Sequence, residues 1–325
     1  MAPLLEVDNL KAYFFMQSET VKAVDGVSFA IQPAEIVGLA GESGCGKSVT
    51  TQCILRLLPY PGRIVEGDIR LNGQSLLQLS GEEIRQVRGR RISVVVQDAL
   101  AALNPVIPIG EQVADVFMAH TNESNKTAWQ KAVGMLRKVG IPEPERRARH
   151  YAHEFSGGMQ QRTVIAAALA CGPELIIADE PTTALDVTIQ QQILALLLSA
   201  CKELGSAILY ISHDLAAVAR ICDRVIIMYA GEIVEEATTR ELFHNPKHPY
   251  TQGLLASIPP LEGDRSEFLP AIPGLPPNPA ELPTGCRFAP RCSHASDACR
   301  AARPEIIKVA PGHQARCILY KDPNQ

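Results

Sequence analysis

The sequence predicts an α/β protein: a parallel β-sheet core with an antiparallel β annex, an inserted helical subdomain and a small, irregular, cysteine-rich C-terminal extension. Three observations lead there. Short apolar runs, among them "EIVGLAG", "RISVVVQD", "ELIIADEP" and "SAILYISHD", alternate with stretches of helical composition such as "KSVTTQCILRLL" and "IQQQILALLLSACKEL". That order builds a parallel sheet covered on both faces. Between residues 99 and 154 the pattern turns helical and polar, as an insertion would. Finally, eight of the 24 prolines fall in "PPLEGDRSEFLPAIPGLPPNPAELP", residues 259–283, which cannot sustain a helix or a central strand.

Taken in order, "LLEVDNLKAYFF" and "AVDGVSFAIQP" read as β-type segments separated by turns. "EIVGLAG" is a short apolar strand entering a glycine-rich loop, and the segment after it is helical. "EGDIRLNGQSL" reads as a hairpin, with Asn72-Gly73 supplying the primed turn. "RISVVVQD" is a buried strand. Helices are expected around Ile109–His120 and Thr127–Val139, and strands return at "ELIIADEP", "SAILYISHD" and "RVIIMYAGEIVEEA". No repeat of solenoid period appears. The proline-rich stretch is expected to be an extended connector. The expected division is 1–245 for the main α/β domain, with its helical subdomain at about 99–158, and 246–325 for the extension.

The 325 residues suit one large domain plus an appendage, and 46% hydrophobic with 20% charged residues is ordinary for a globular protein. A net charge of −4 gives no general drive toward nucleic acid or anionic lipid. "MAPLLEVDNL" lacks a basic region followed by an apolar one, so no signal peptide is expected. No apolar run reaches the roughly 18 residues that cross a bilayer, so the chain is not expected to span a membrane by itself. Of nine cysteines, Cys45, Cys53, Cys171, Cys201 and Cys222 read as small buried hydrophobes. Cys286, Cys292, Cys299 and Cys317 form a separate group, and in a cytosolic chain such clustering favours a metal centre over disulfides.

"GESGCGKS" matches G-x-x-x-x-G-K-[ST] between a strand and a helix, the context that makes the pattern a phosphate loop. The candidate contacts run through Gly41, Glu42, Ser43, Gly44, Cys45, Gly46, Lys47, Ser48 and Val49. Glycines let backbone N–H groups wrap phosphates at the helix N-terminus. Lys47 would reach the β- and γ-phosphates of ATP, and the Ser48 hydroxyl would ligate Mg²⁺. "LIIADEP" is an apolar strand ending in two carboxylates. Asp179 would hold Mg²⁺, and Glu180 would polarise the attacking water as general base.

"FSGGMQQR", standing directly before "LIIADEPTTALD", resembles the signature of ABC-transporter ATPases. That resemblance implies the P-loop NTPase (RecA-like) fold and a dimer that sandwiches ATP. Ser156, Gly157 and Gly158 would then donate to the γ-phosphate held by the opposing subunit. It further implies that Gln97 contacts Mg²⁺ or water, that Asp186 in Ala184–Asp186 lies across the dimer, and that His213 contacts the γ-phosphate. Phe14 would stack on adenine, with neighbouring Tyr13 as a substitute. Met159 and Phe155 depart from the usual LSGGQ, but the donors toward phosphate are the serine and the two glycines.

"NPKHPYTQGLLASIP", "IPGLPP" and "GCRFAPRCSHASDAC" resemble the C-terminal region of the oligopeptide/dipeptide importer branch. By their spacings, x5, x6 and x17, the four cysteines match neither the ferredoxin run nor the tight pairs of most zinc sites. A cluster, zinc, and free or disulfide-forming thiols all stay open on the residues alone. The resemblance implies a [4Fe–4S] cluster that staples a core-poor tail. Because this tail shares no motif with the phosphate loop, it is expected to act independently of nucleotide binding.

The resemblance also implies partners: a second, homologous ATPase subunit in a heterodimer, two transmembrane permease subunits, and indirectly an extracytoplasmic peptide receptor, with no nucleic acid. The implied place is the cytoplasmic face of a bacterial plasma (inner) membrane. A nickel, glutathione or other oligopeptide-type importer is the alternative within transport. ABC ATPases of DNA repair, chromosome organisation or translation carry long coiled-coil insertions, zinc hooks or two ATPase domains, which this sequence does not show.

Overall fold

A computed structural model of the chain describes residues 2–182, 185–258 and 271–320. The chain folds into two compact units. One comprises Met1–Leu4, Ile31–Glu35 and Gln78–Tyr210, the other Leu5–Ala30, Ile36–Leu77 and Ile211–Gln325.

The second unit begins with strands β1 (Leu5–Phe15) and β2 (Thr20–Ile31), then β3 (Ile36–Ala40), helix α1 (Lys47–Ile54), β4 (Gly62–Leu71) and β5 (Gln74–Ser75). Four of these strands form the annex sheet, ordered β2-β1-β4-β5 and antiparallel where β4 meets β1 and β5. Asn72 (φ 49°) and Gly73 (φ 79°) close the β4–β5 turn in the left-handed region, as the Asn-Gly pair favours.

The first unit carries α2 (Gly81–Val87), β6 (Ile92–Val95), α3 (Ala99–Ala102), α4 (Ile109–His120), α5 (Asn125–Lys138) and α6 (Pro144–Arg147). Helix α7 (Gly157–Leu169), β7 (Leu175–Asp179) and α8 (Val187–Leu204) follow, and β8 (Ala207–Ser212) leaves the unit at Ile211. β6 and β7 pair in parallel, Ile92 opposite Leu175. Leu175, Ile176, Ile177 and Ala178 are all fully buried, the mark of a strand covered on both faces. Helices α3 to α6 fall between residues 99 and 147. α4 buries Ile109, Val113, Ala114 and Phe117 along one stripe, and α5 buries Ala128, Ala132, Val133 and Leu136.

The chain then returns to the second unit with α9 (Leu215–Ile221), β9 (Arg224–Tyr229), β10 (Glu232–Thr238), α10 (Thr239–His244) and α11 (Pro249–Ala256). The run "RVIIMYAGEIVEEA" is a hairpin rather than one strand, because Ala230 (φ 45°) and Gly231 (φ 83°) reverse the chain between β9 and β10. β3 lies parallel to β9. The connector expected at 259–283 lies outside the described residues up to 270, and residues 271–283 form neither helix nor strand. The tail adds α12 (Asp297–Ala301), β11 (Ile307–Ala310) and β12 (His313–Ala315). β12 pairs antiparallel with β10, and β11 with β12, so the extension continues the sheet that carries β3 and the phosphate loop.

Candidate functional site

In the second unit, β3 delivers the chain into "GESGCGKS". Gly41 (φ 149°) and Gly46 (φ 110°) hold the loop in conformations that favour glycine. A Cβ at Gly41 would stand 2.2 Å from the Met228 carbonyl oxygen, and one at Gly46 2.5 Å from that of Ala23. The loop therefore lies flush against β9 and β2. Gly46 caps α1 without a side-chain hydrogen bond, and the first turn of α1 contains no acidic residue. The N–H groups there face outward from a positive helix end, the arrangement that binds anions. Lys47 is buried. Its ammonium donates to the Gly41 carbonyl (2.8 Å) and the Glu42 carbonyl (3.0 Å). Ser43, Gly44 and Ser48 are exposed, and Val49 is half-buried. Cys45 is buried in the loop, and that burial pushes its thiol up, consistent with an inert packing residue.

Glu42 is engaged at every polar group. Its N–H donates to the Tyr250 hydroxyl (2.8 Å), its carbonyl accepts from Lys47, and its carboxylate accepts a fork from Arg291 (2.7 and 3.0 Å). Tyr250 sits on α11 because His248 caps that helix, the imidazole Nδ1 accepting from the Tyr250 N–H (3.1 Å). Arg291 sits beside Cys292 in the tail. Its guanidinium also donates to the Pro273 carbonyl (3.0 Å) and lies over the Tyr229 ring. Tyr229, Tyr250 and Phe288 pack at centroid distances of 4.5 to 5.4 Å. The tail, expected to act independently of nucleotide binding, thus touches the phosphate loop at Glu42. The reason is topological: β12 docks on β10, the β9–β10 hairpin flanks the loop, and this carries tail side chains to Glu42.

Buried charge fixes the same docking. Arg287 pairs with Asp25, while Arg303 donates to Glu232 (2.6 Å). Asp25 and Glu232 are both buried. Burial works against the Asp25 carboxylate, yet the Tyr13 hydroxyl (2.6 Å) and the Arg287 charge outweigh it and hold it below the usual carboxylate range. Tyr13, committed in this way, has its phenol pushed up to about 12 by burial and by Asp25. Phe14 is half-buried and closes on Gly62, where a Cβ would come 2.8 Å from the ring. His213 is exposed at the turn before α9, beside Asp214, which caps that helix through Ala216 and Ala217.

The first unit holds a second constellation. β7 ends at Asp179, and Glu180 follows with φ 46°, a conformation uncommon for a residue with a side chain. Gln97 donates from Nε2 to Glu180 Oε2 at 3.1 Å. Gln161 of α7 donates to the Val96 carbonyl (3.3 Å) and so ties that helix to the segment bearing Gln97. Ser156 caps α7 by accepting from the Met159 N–H, and Ser156 and Gly157 are exposed. The Met159 contribution here is its backbone, so the departure from glutamine leaves the turn intact. A Cβ on Gly158 would come 2.9 Å from Ile189, and Asp186 caps α8 by accepting from the Ile189 N–H (3.0 Å). Ala184 lies outside the described residues.

None of the nine cysteines is disulfide-bonded. Cys286, Cys292, Cys299 and Cys317 share one part of the tail, where the Cys286 N–H donates to the Cys299 carbonyl (2.7 Å). Burial pushes the Cys286 thiol up to about 11 and raises Cys292 and Cys317, and the charge of Cys299 adds to each. Among the described residues, these four cysteines included, no group of three or more His, Cys, Asp or Glu side chains is placed to hold a metal ion.

Residues 24–183 match the family "ABC transporter", and residues 234–299 match "Oligopeptide/dipeptide transporter, C-terminal region". The chain is 47% identical to the oligopeptide transport ATP-binding protein AppD of Bacillus subtilis, over 99% of this chain and 98% of that one. It is 43% identical to the dipeptide transport ATP-binding protein DppD of Escherichia coli, over 97% and 96%. Among solved structures, it resembles the dimeric, post-hydrolysis ATP-binding cassette MJ0796 bound to ADP and Pi. The TM-score is 0.65 at 30% identity, covering 73% of this chain and 99% of that one.

Proposed function

Since the chain belongs to the ABC transporter family, as an ATP-binding subunit of its oligopeptide/dipeptide branch, we propose a residue-level account of how it binds and hydrolyses ATP to energise peptide transport. The observation that carries it is Lys47. A buried ammonium held by two carbonyls of its own loop is a cation in waiting, and phosphate oxygens are stronger partners than neutral carbonyls. The loop Gly41–Val49 binds the phosphates through Lys47 and those backbone N–H groups that are not already committed, as those of Glu42 and Cys45 are. Ser48, Asp179 and Gln97 would hold Mg²⁺, which would neutralise phosphate charge. Glu180 takes the proton of the attacking water, and the Gln97 hydrogen bond orients its carboxylate. His213 addresses the γ-phosphate, and Phe14 stacks on adenine. Ser156, Gly157, Gly158 and Asp186 serve the nucleotide of an opposing ATPase domain; the MJ0796 cassette was itself solved as a dimer.

The partners of this reading are a second, non-identical ATPase subunit, two transmembrane permeases and, through them, an extracytoplasmic peptide receptor. Among the described residues no helix is long and apolar enough to cross a membrane. A peripheral place on the cytoplasmic face of a bacterial inner membrane fits this. The cargo is a dipeptide or oligopeptide, as in the names of AppD and DppD. Cys286, Cys292, Cys299 and Cys317 would hold a [4Fe–4S] cluster, whose iron–thiolate bonds staple the tail. The deciding experiment is Glu180→Gln in the assembled transporter. ATP binding should persist while steady turnover falls about 10²–10⁴-fold, the contribution of a positioned general base. Turnover at the wild-type rate would remove Glu180 from that role.

A further inference from the structure

The Arg291–Glu42 pair takes no part in the hydrolytic steps, yet it joins the tail to the phosphate loop. Glu42 places a carboxylate one residue from Gly41 and five from Lys47, in a loop whose task is to receive a polyanion. Left alone, that carboxylate would repel phosphate and compete for the Lys47 ammonium. Arg291 removes both problems. Its planar fork engages both carboxylate oxygens, its side chain is 4% exposed, and Pro273 and Tyr229 hold it from behind. A lysine has no such fork. Tyr250 meanwhile takes the Glu42 N–H, and the Cys45 N–H closes back on the Glu42 carbonyl at 3.3 Å, so Glu42 is fixed at backbone and side chain alike.

We propose that Arg291 is a positioning residue for nucleotide binding: it neutralises Glu42 and draws its carboxylate out of the phosphate pocket, so that the cysteine-rich tail sets the affinity of the loop for ATP. The Glu42 hydrogen bonds raise the Arg291 pKa above its usual value, which keeps the guanidinium charged at any working pH. The route from tail to ligand is short. Arg291 grips Glu42, the Glu42 carbonyl grips Lys47, and Lys47 is the group that must reach the phosphates.

This inference rests on Gly41–Ser48 being the phosphate loop, and one control separates the two. In the full-length chain, Mg-ATP affinity is measured by calorimetry for wild type, Lys47→Ala, Arg291→Ala, Arg291→Lys, Tyr250→Phe and Arg291→Ala/Glu42→Gln. Wild-type affinity in Lys47→Ala would defeat the loop reading itself. Given that loss, Arg291→Ala should weaken ATP binding about tenfold, the scale of one lost charge-assisted contact. Arg291→Lys should recover part of it, and Tyr250→Phe should cost about threefold. The decisive result is the double variant, in which removing the exposed carboxylate should return affinity to within about threefold of wild type. A role that was merely structural would not give recovery, because two lost contacts would weaken the fold further. Wild-type affinity in Arg291→Ala overturns the proposal, as does a double variant no better than Arg291→Ala. Because Glu42→Gln is isosteric, the double variant also stands in if Arg291→Ala folds poorly: a folded double variant with affinity reduced tenfold or more counts against the proposal.

Discussion

His248 makes the docking of α11 sensitive to acid, and the size of the effect follows from its surroundings. Its side chain is almost wholly buried, and its Nδ1 is the acceptor that caps α11 at Tyr250. Burial first, and the nearby Arg316 charge second, push the imidazole down to about 3. In the unfolded chain the same group titrates near its ordinary value of about 6.5. Between those values the unfolded chain binds a proton that the native one refuses, so stability falls as pH drops below about 6.5 and continues to fall toward about 3. At pH 5 the difference is about 1.5 pH units of that window, or about 2 kcal/mol. For a unit of this size that is about 4–8 °C in melting temperature. The assay is thermal unfolding of the full chain at pH 7.5 and pH 5, wild type against His248→Asn. Asparagine is also a helix-capping residue but does not titrate. The wild type should lose about 4–8 °C more than the variant over that interval. Equal losses would refute the reasoning, since every other titrating group is common to both proteins.

Three further outcomes follow from the site. Phe14→Ala should weaken ATP binding by about 1–3 kcal/mol, the worth of one base–aromatic stack, as read by calorimetry. Unchanged affinity would shift the adenine contact to another side chain. Anaerobically purified protein should be brown with about four irons per chain, and Cys292→Ser should lose the colour; a colourless preparation containing one zinc would replace the cluster with a different staple. The same variant should also weaken ATP binding, because Cys292 is the neighbour of Arg291, which reverses the independence expected from sequence.

What could be read from the sequence was what short segments determine. "GESGCGKS" between an apolar run and a helical one gives its own fold and chemistry, because strand, loop and helix N-terminus are local. Asn72-Gly73 declares its turn in the same way, and the stripe of α4 its buried face. The β9–β10 reversal was less visible, since Ala230-Gly231 is a weaker turn signal than Asn-Gly. Phe14 was preferred over its neighbour Tyr13 only through resemblance, and nothing local in the sequence announced that the Tyr13 hydroxyl is bonded to Asp25. The "HPY" segment stood out as a marker of its branch, but its physical task was hidden. Nothing in the spacing says that a histidine caps a helix so that a tyrosine two residues on can reach an amide 208 positions earlier. Contacts between distant segments depend on sheet order, which one sequence does not print.

The separation of Glu42 from Arg291 also has a meaning in time. The two residues are 249 positions apart, and at about 5–20 residues per second a ribosome needs roughly 12–50 s to make the second after the first. Throughout that interval the nascent phosphate loop carries its carboxylate without the guanidinium that answers it. A chain cut short before Arg291, by a nonsense codon or a protease, keeps every ATPase motif yet presents phosphate with an opposing charge. On the role proposed for Arg291, a segment made late completes a loop made early, and copies that lack it should compete poorly for ATP.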